Sequence, residues 1–213
     1  MKIALFGATG HVGRAILDEA LARGDEVTAI VRDPARLDTT DPRIAVVTGD
    51  IAHPESWLDA VRGCDVLVVS ISARRDGSND AVPALAATVL DYLPKAGVKR
   101  LVWVGGAASL ETSPGVRVID DPHFPEAWKA EAQGQIKALE VFRHGKSEVE
   151  WTYMSPAALL EDGPRTGKYR VGSDQLLVDG DGKSRISVAD YAVALLDRVE
   201  KNDARRQRIT VAY

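Results

Sequence analysis

An α/β fold with a doubly wound, mainly parallel sheet is expected of this chain on three observations. Short apolar runs alternate with helical patterns along most of its length, as in strand–helix–strand units that cover a parallel sheet on both faces. The first run, Ile3 to Phe6, ends abruptly in Gly7-Ala8-Thr9-Gly10-His11-Val12-Gly13 and passes directly into a helical pattern. A later run, Asp65-Val-Leu-Val-Val-Ser70, is apolar almost throughout, which a strand buried on both faces requires. At 213 residues, 45% hydrophobic and 27% charged, the chain has the length and composition of one well-cored domain. No internal repeat or linker divides it, so residues 1–213 are read as a single domain, three-layer α/β/α, with small C-terminal additions.

The elements follow in order. After the first helix, with Val12, Ile16, Ala20 and Leu21 on one side and Asp18, Glu19 and Arg23 on the other, Glu26-Val-Thr-Ala-Ile-Val31 reads as the second strand. Arg43 to Thr48 is the third, and Pro54 to Arg62 a short helix with proline suited to its start. Asp65 to Ser70 is the fourth strand. Asn79 to Ala96 forms a long helix closed by Gly97. Arg100 to Val104 is the fifth strand, followed by Gly105-Gly106. Thr112 to Pro125 is less regular, Glu126 to His144 helical, and Val149 to Met154 the sixth strand. Residues 161–168 read as loop and 168–183 as short strands or a hairpin. Ser187 to Lys201 is an amphipathic helix opened by a capping-box-like Ser-Val-Ala-Asp, and Arg208 to Tyr213 is a last strand.

Composition excludes several functions. A net charge of −4, with no basic run, gives no footing for nucleic acid. One cysteine, Cys64, cannot form an internal disulfide, and four scattered histidines have no metal-ligand spacing. No apolar stretch approaches the roughly 18 residues of a membrane span. The N-terminus reads as a core strand, not a signal peptide, so a cytoplasmic location is expected.

Strand, glycine turn and helix in immediate succession form a dinucleotide-binding fingerprint, here spaced G-x-x-G-x-x-G, and the fold expected is of the Rossmann type. Gly7 allows a tight turn, Gly10 lets backbone N–H groups approach a pyrophosphate, and Gly13 lets the helix pack close to the strand. The helix N-terminus adds unpaired N–H donors and the positive end of its dipole. Ala8, Thr9, His11 and Val12 complete this cofactor-binding turn.

Beyond the turn, Val27-Thr-Ala-Ile-Val-Arg-Asp33 with Arg36-Leu37, Gly49-Asp50 and Gly105-Gly-Ala107 resemble the atypical short-chain dehydrogenase/reductases. Within them the chain is most similar to the NAD(P)H-binding group that includes NmrA-like proteins, NADH-flavin reductase-like proteins and biliverdin reductase B. Trp151-Thr-Tyr-Met-Ser-Pro156, Arg165-Thr-Gly-Lys-Tyr169 and Ser184-Arg-Ile-Ser-Val-Ala-Asp-Tyr191 resemble the bacterial flavin-reductase-like members. Nearly the whole chain is covered. The resemblance implies Asp50 and Ile51 beside adenine, Gly105 and Gly106 against the cofactor, and Ser155 and Pro156 at its nicotinamide end. Ser70, Ile71 and Ser72, after the fourth strand, line its middle. Arg74 takes a position similar to an arginine of the flavin-reductase branch, or is a surface arginine.

Cofactor choice turns on Arg32, which ends the second strand where the adenosine ribose would sit. An acidic residue there suits a ribose 2′-hydroxyl; an arginine suits a 2′-phosphate, which its guanidinium can clamp with two parallel hydrogen bonds. Arg36 can add a second charge. NADP(H) is therefore favoured over NAD(H), with Asp33 as the counter-evidence and a solvated charged turn as the bland alternative.

The superfamily's usual Tyr-x-x-x-Lys pair is missing: no tyrosine is followed four positions later by lysine, and Gln133-Gly-Gln-Ile-Lys137 puts glutamine at the acid's place. Lys137 either touches a ribose or is an exposed helix lysine. Ser109 is a candidate catalytic or nicotinamide contact, or a loop-capping serine. Without a positioned acid, reducing an isolated carbonyl forfeits a typical contribution of about 10²–10⁴-fold. Flavins and quinones delocalise the incoming charge and need it less. The expected function is thus an NAD(P)H-dependent reductase of a small flavin or quinone-like acceptor. A non-enzymatic NADP(H) sensor is the alternative, and an epimerase- or dehydratase-like protein a distant third. His123, Phe124 and Trp128 either line the acceptor side or anchor their loop.

Overall fold

The computed structural model describes residues 1–72 and 81–213. Among them the chain runs β1 (Lys2–Phe6), α1 (His11–Ala22), β2 (Glu26–Val31), β3 (Ile44–Thr48), β4 (Val66–Val69), α2 (Ala81–Tyr92), β5 (Arg100–Val104), β6 (Glu111–Ser113), β7 (Val116–Arg117), α3 (Glu126–His144), β8 (Glu150–Ser155), β9 (Leu159–Glu161), β10 (Arg170–Gly172), β11 (Arg185–Ser187), α4 (Val188–Lys201) and β12 (Gln207–Ala212). Eight strands form one sheet in the order β10-β12-β8-β5-β4-β1-β2-β3, parallel except for β10, which runs antiparallel to β12. The chain winds outward from β1 through β2 to β3, then returns to β1's other side at β4. That reversal is the topological switch point at which such sheets take ligands. The fold is Rossmann-like, as the alternating pattern implies.

Period-2 alternation in β1 explains the layers. Ile3 and Leu5 pack into one core beneath α1 and α4, while Ala4 and Phe6 pack into the other beneath α2 and α3. β4 is fully buried on both faces, as its unbroken apolar run requires. In α4, Ser187 caps the helix by accepting from the Asp190 N–H at 3.0 Å. Among the described residues no helix is long and apolar enough to cross a membrane.

Three segments depart from expectation. Pro54 to Arg62 is not an α-helix: a single 3₁₀ turn, Pro54–Ser56, gives way to hydrogen-bonded turns. The Ser56 hydroxyl donates to the His53 carbonyl and accepts from the Asp50 N–H, competing with helix bonds. Trp57 is pulled inward, edge-on to Phe6 with its indole N–H on the Ile51 carbonyl. The second helix, whose expected start at Asn79 lies outside the described residues, ends at Tyr92, where Pro94, lacking an N–H, leaves a 3₁₀ turn Leu93–Ala96 before Gly97 at φ 78°. Within 168–183 there is one edge strand, β10, and not a self-paired hairpin.

Candidate functional site

The C-terminal ends of β1, β4, β5 and β8 lie side by side, because Phe6 pairs with Val69, Val69 with Trp103, and Val104 with Met154. Ser70 N–H to Phe6 carbonyl and Gly105 N–H to Met154 carbonyl carry the ladder one residue past the strands. Gly7, Ser70, Gly105 and the chain after Ser155 are therefore neighbours at one sheet edge.

Gly7 and Gly13 are fixed there by space. Gly7 has φ 86°, and a Cβ on it would lie 1.7 Å from the Ser70 carbonyl oxygen. A Cβ on Gly13 would lie 1.9 Å from the Gly7 carbonyl oxygen. That same carbonyl accepts from the Gly10 N–H at 2.9 Å. Gly10 is the N-cap of α1 and offers no side chain to the first-turn N–H groups, which no side chain caps among the described residues. An added Cβ at Gly10 would meet only the Gly7 oxygen, at 3.3 Å.

Above this turn lies a cleft of about 440 Å³ lined by Thr9, Gly10, His11, Arg14, Asp162 and Gly163 among others. Its far wall is the segment after β9, tied down at several points. Asp190, fully buried, accepts from the Thr166 N–H (2.8 Å), the Thr166 hydroxyl (2.6 Å), the Gly167 N–H (2.7 Å) and the Tyr213 hydroxyl (2.7 Å). Burial opposes its charge, but these four donors prevail and hold the carboxyl below its usual range. Arg165 forks onto Glu19 at 2.6 and 2.8 Å, and Arg23 adds a third bond at 2.8 Å. The Arg165 bond is the largest of the influences that lower the Glu19 pKa. Glu19 is thus buried, although helical spacing placed it on the polar side of α1. At the mouth, His11 Nε2 lies 3.0 Å from an Asp162 carboxylate oxygen.

On the β2 side, Arg32 and Arg36 are both exposed, Arg32 before a 3₁₀ turn, Pro34–Arg36, and Arg36 at its end. Asp33 caps that turn, accepting from the Ala35 N–H at 3.1 Å. Asp50 accepts from the Ala52 N–H, and Ile51 is buried beside Trp57. Arg74 lies outside the described residues.

On the β5 side, Tyr153 organises the loop. Its ring fills the space a Cβ on Gly105 would need, 2.0 Å from Tyr153 Cε1. Its hydroxyl accepts from the Gly106 N–H at 3.2 Å and lies 2.9 Å from the Gln135 carbonyl. Burial pushes this phenol's pKa up, so it stays protonated. Gln133 and Lys137 are exposed on α3. The Ser72 hydroxyl donates to Glu131 at 2.6 Å, joining the end of β4 to α3. The hydroxyls of Ser109 and Ser155 are both buried and, among the described residues, have no hydrogen-bond partner. Ser109 therefore caps no loop through its side chain, and Pro156 is buried with Ser155. Sequence reading did not single out Asp190, Tyr153 or Gln135 for these contacts. They join residues far apart in the chain and leave no local pattern.

Comparison with known proteins places the chain in a family. A family model described as NAD(P)H-binding matches residues 7–198. The Bacillus subtilis protein YwnB is 36% identical over 214 residues, 99% of this chain and 98% of that one. A candidate exported protein from Burkholderia pseudomallei is 40% identical, with a TM-score of 0.90 and all of both chains covered. A candidate NADH-flavin reductase from Streptococcus pneumoniae is 32% identical, TM-score 0.83, covering 100% of this chain and 99% of that one. With the glycine turn set at the sheet's switch point and the family model spanning nearly all of the sequence, the chain belongs to the NAD(P)H-binding family.

Proposed function

We propose that this protein is an NADPH-dependent reductase of flavin or quinone-like acceptors. The observation that carries the reading is the pairing of a preformed dinucleotide turn with an acid position held by exposed Gln133. The turn fits the cofactor: bare N–H groups at an uncapped helix start are a ready anion seat. Bound there, the nicotinamide supplies a hydride. The chain's own contribution is to hold and orient both partners and to exclude water. Among the described residues, no side chain placed at the cleft serves as the superfamily's tyrosine acid. An acceptor that delocalises charge, and takes its proton from solvent, suits such a site. The likeness to the Streptococcus protein supports the same acceptor class.

For cofactor choice, Asp33 is occupied in capping its own turn, while Arg32 and Arg36 flank it on the exposed surface. This favours a 2′-phosphate over a bare ribose. Arg32→Ala is expected to weaken NADPH by about 10- to 100-fold and NADH far less, the value of one charge-assisted hydrogen bond. Isothermal titration with both cofactors checks it; equal losses would remove Arg32 from the 2′-phosphate.

The function itself is tested by mixing the protein with NADPH and a panel of FMN, riboflavin and quinones, following the nicotinamide absorbance. Turnover with at least one ring acceptor is expected. Tight cofactor binding with no turnover on any of them would transfer the assignment to a cofactor sensor.

A further inference from the structure

We infer that Asp162 sets the affinity of the dinucleotide seat: it is a fixed negative charge at the mouth of the cleft, and it keeps an anionic cofactor exchangeable. This rests on the cofactor seat described above and not on the choice of acceptor.

The Asp162 backbone is held from both sides. Before it, Glu161 pairs with Ser187 in the two-stranded β9–β11 sheet. After it, Gly163 is packed so closely that a Cβ there would lie 3.0 Å from Ser187 Cβ, and the Pro164 carbonyl accepts from the Ser187 hydroxyl at 3.0 Å. Arg165, Thr166 and Gly167 follow, fastened to Glu19 and Asp190. Asp162 is thus pinned against the N-cap of α4 while its own side chain is 87% exposed.

That side chain reaches across the cleft to α1. It shares the cleft with Thr9, Gly10 and His11, and one of its oxygens lies 3.0 Å from Nε2 of His11, the first residue of the helix. The other lining carboxylate, Asp18, is paired with Arg14 at 3.0 Å. Among the described residues Asp162 has only the imidazole. The start of α1 is also the place for a pyrophosphate, and negative groups at one mouth repel each other. A cofactor spent in each turnover has to leave, and a fixed carboxylate beside its phosphates works against retention.

The test is calorimetric titration with NADP⁺ and with ADP-ribose, which keeps the pyrophosphate and lacks the nicotinamide. Asp162→Asn is expected to bind both about three- to tenfold more tightly than wild type, and Asp162→Lys more tightly again, as one and then two unit charges are changed at a solvated mouth. In about 0.5 M NaCl the three proteins should converge to within twofold, because salt screens exposed charges. Their thermal midpoints should agree, since the backbone ties remain. If Asp162→Asn binds ADP-ribose no more tightly than wild type, or if the gain survives high salt, the role of Asp162 is overturned and the cofactor seat stands. If wild type binds neither NADP⁺ nor ADP-ribose, the seat itself falls and the inference with it.

Discussion

Gly13→Ala is expected to lower NAD(P)H affinity by about a hundredfold, the loss of roughly two charge-assisted hydrogen bonds. The new methyl would lie 1.9 Å from the Gly7 carbonyl oxygen and 2.6 Å from its carbon, both backbone atoms of the turn itself. Neither can swing aside, so α1 must move away from β1. Its first-turn N–H groups leave the phosphate position as it goes. The same overpacking should cost about 1–3 kcal/mol of stability, a drop of roughly 2–12 °C in Tm for a chain of this size. Gly10→Ala makes the contrast, since its Cβ would meet a single atom at 3.3 Å. Its thermal midpoint should stay near wild type's. A thermal melt on the two variants ranks them. Equal midpoints would show that the Gly13 contact does not displace the helix.

Asp190→Ala should destabilise the fold and release the segment after β9. It removes the acceptor of four hydrogen bonds at once, two of them from backbone N–H groups at Thr166 and Gly167. The donors lie on exposed Thr166 and Gly167 and half-buried Tyr213, where water replaces part of what is lost, so a loss of about 1–3 kcal/mol is expected, roughly 2–12 °C in Tm. The pH dependence has a definite sign. A carboxyl whose folded pKa lies below its unfolded value of about 3.9 contributes stability above that value, and the contribution fades as pH falls through the folded pKa. The gap between wild type and Asp190→Ala should therefore be constant from pH 8 to about 5 and narrow below about pH 4. Melts across that range decide it. A gap that widened in acid would mean that Asp190 is not held ionised by its donors.

Much of the fold was legible because it is written in local pattern. Glu26–Val31, Arg100–Val104 and Glu126–His144 lie where apolar runs and helical spacing put them, and Gly97 ends its helix by left-handed backbone. The glycine turn was legible for the same reason, since its close contacts involve backbone that any such turn brings together. What escaped was set by distant partners. Ser56 and Trp57 turned a promising helix into a series of turns by satisfying backbone groups from their side chains. Asp190, three residues after its N-cap, has the form of a capping-box acid, yet its carboxylate is spent on Thr166, Gly167 and Tyr213. Glu19 has helical spacing for the solvent side and is buried by Arg165, 146 residues later. Trp128 is exposed where Phe124 is half-buried, and spacing along the sequence does not report exposure.

Helix α1 is fastened at its far end and bare at its near one. Glu19, some 12 Å along the axis from His11 at 1.5 Å per residue, is gripped by Arg165 and Arg23, and Arg23 in turn holds Asp197 and Glu200 of α4. A twelve-residue rod clamped this way behaves as a lever. Its N-terminal N–H groups are aimed by charges that never come near a phosphate. A search for variants with altered cofactor affinity should therefore return hits at Glu19, Arg23 and Arg165 as readily as in the cleft, and their effects should not add, because they act through one clamp.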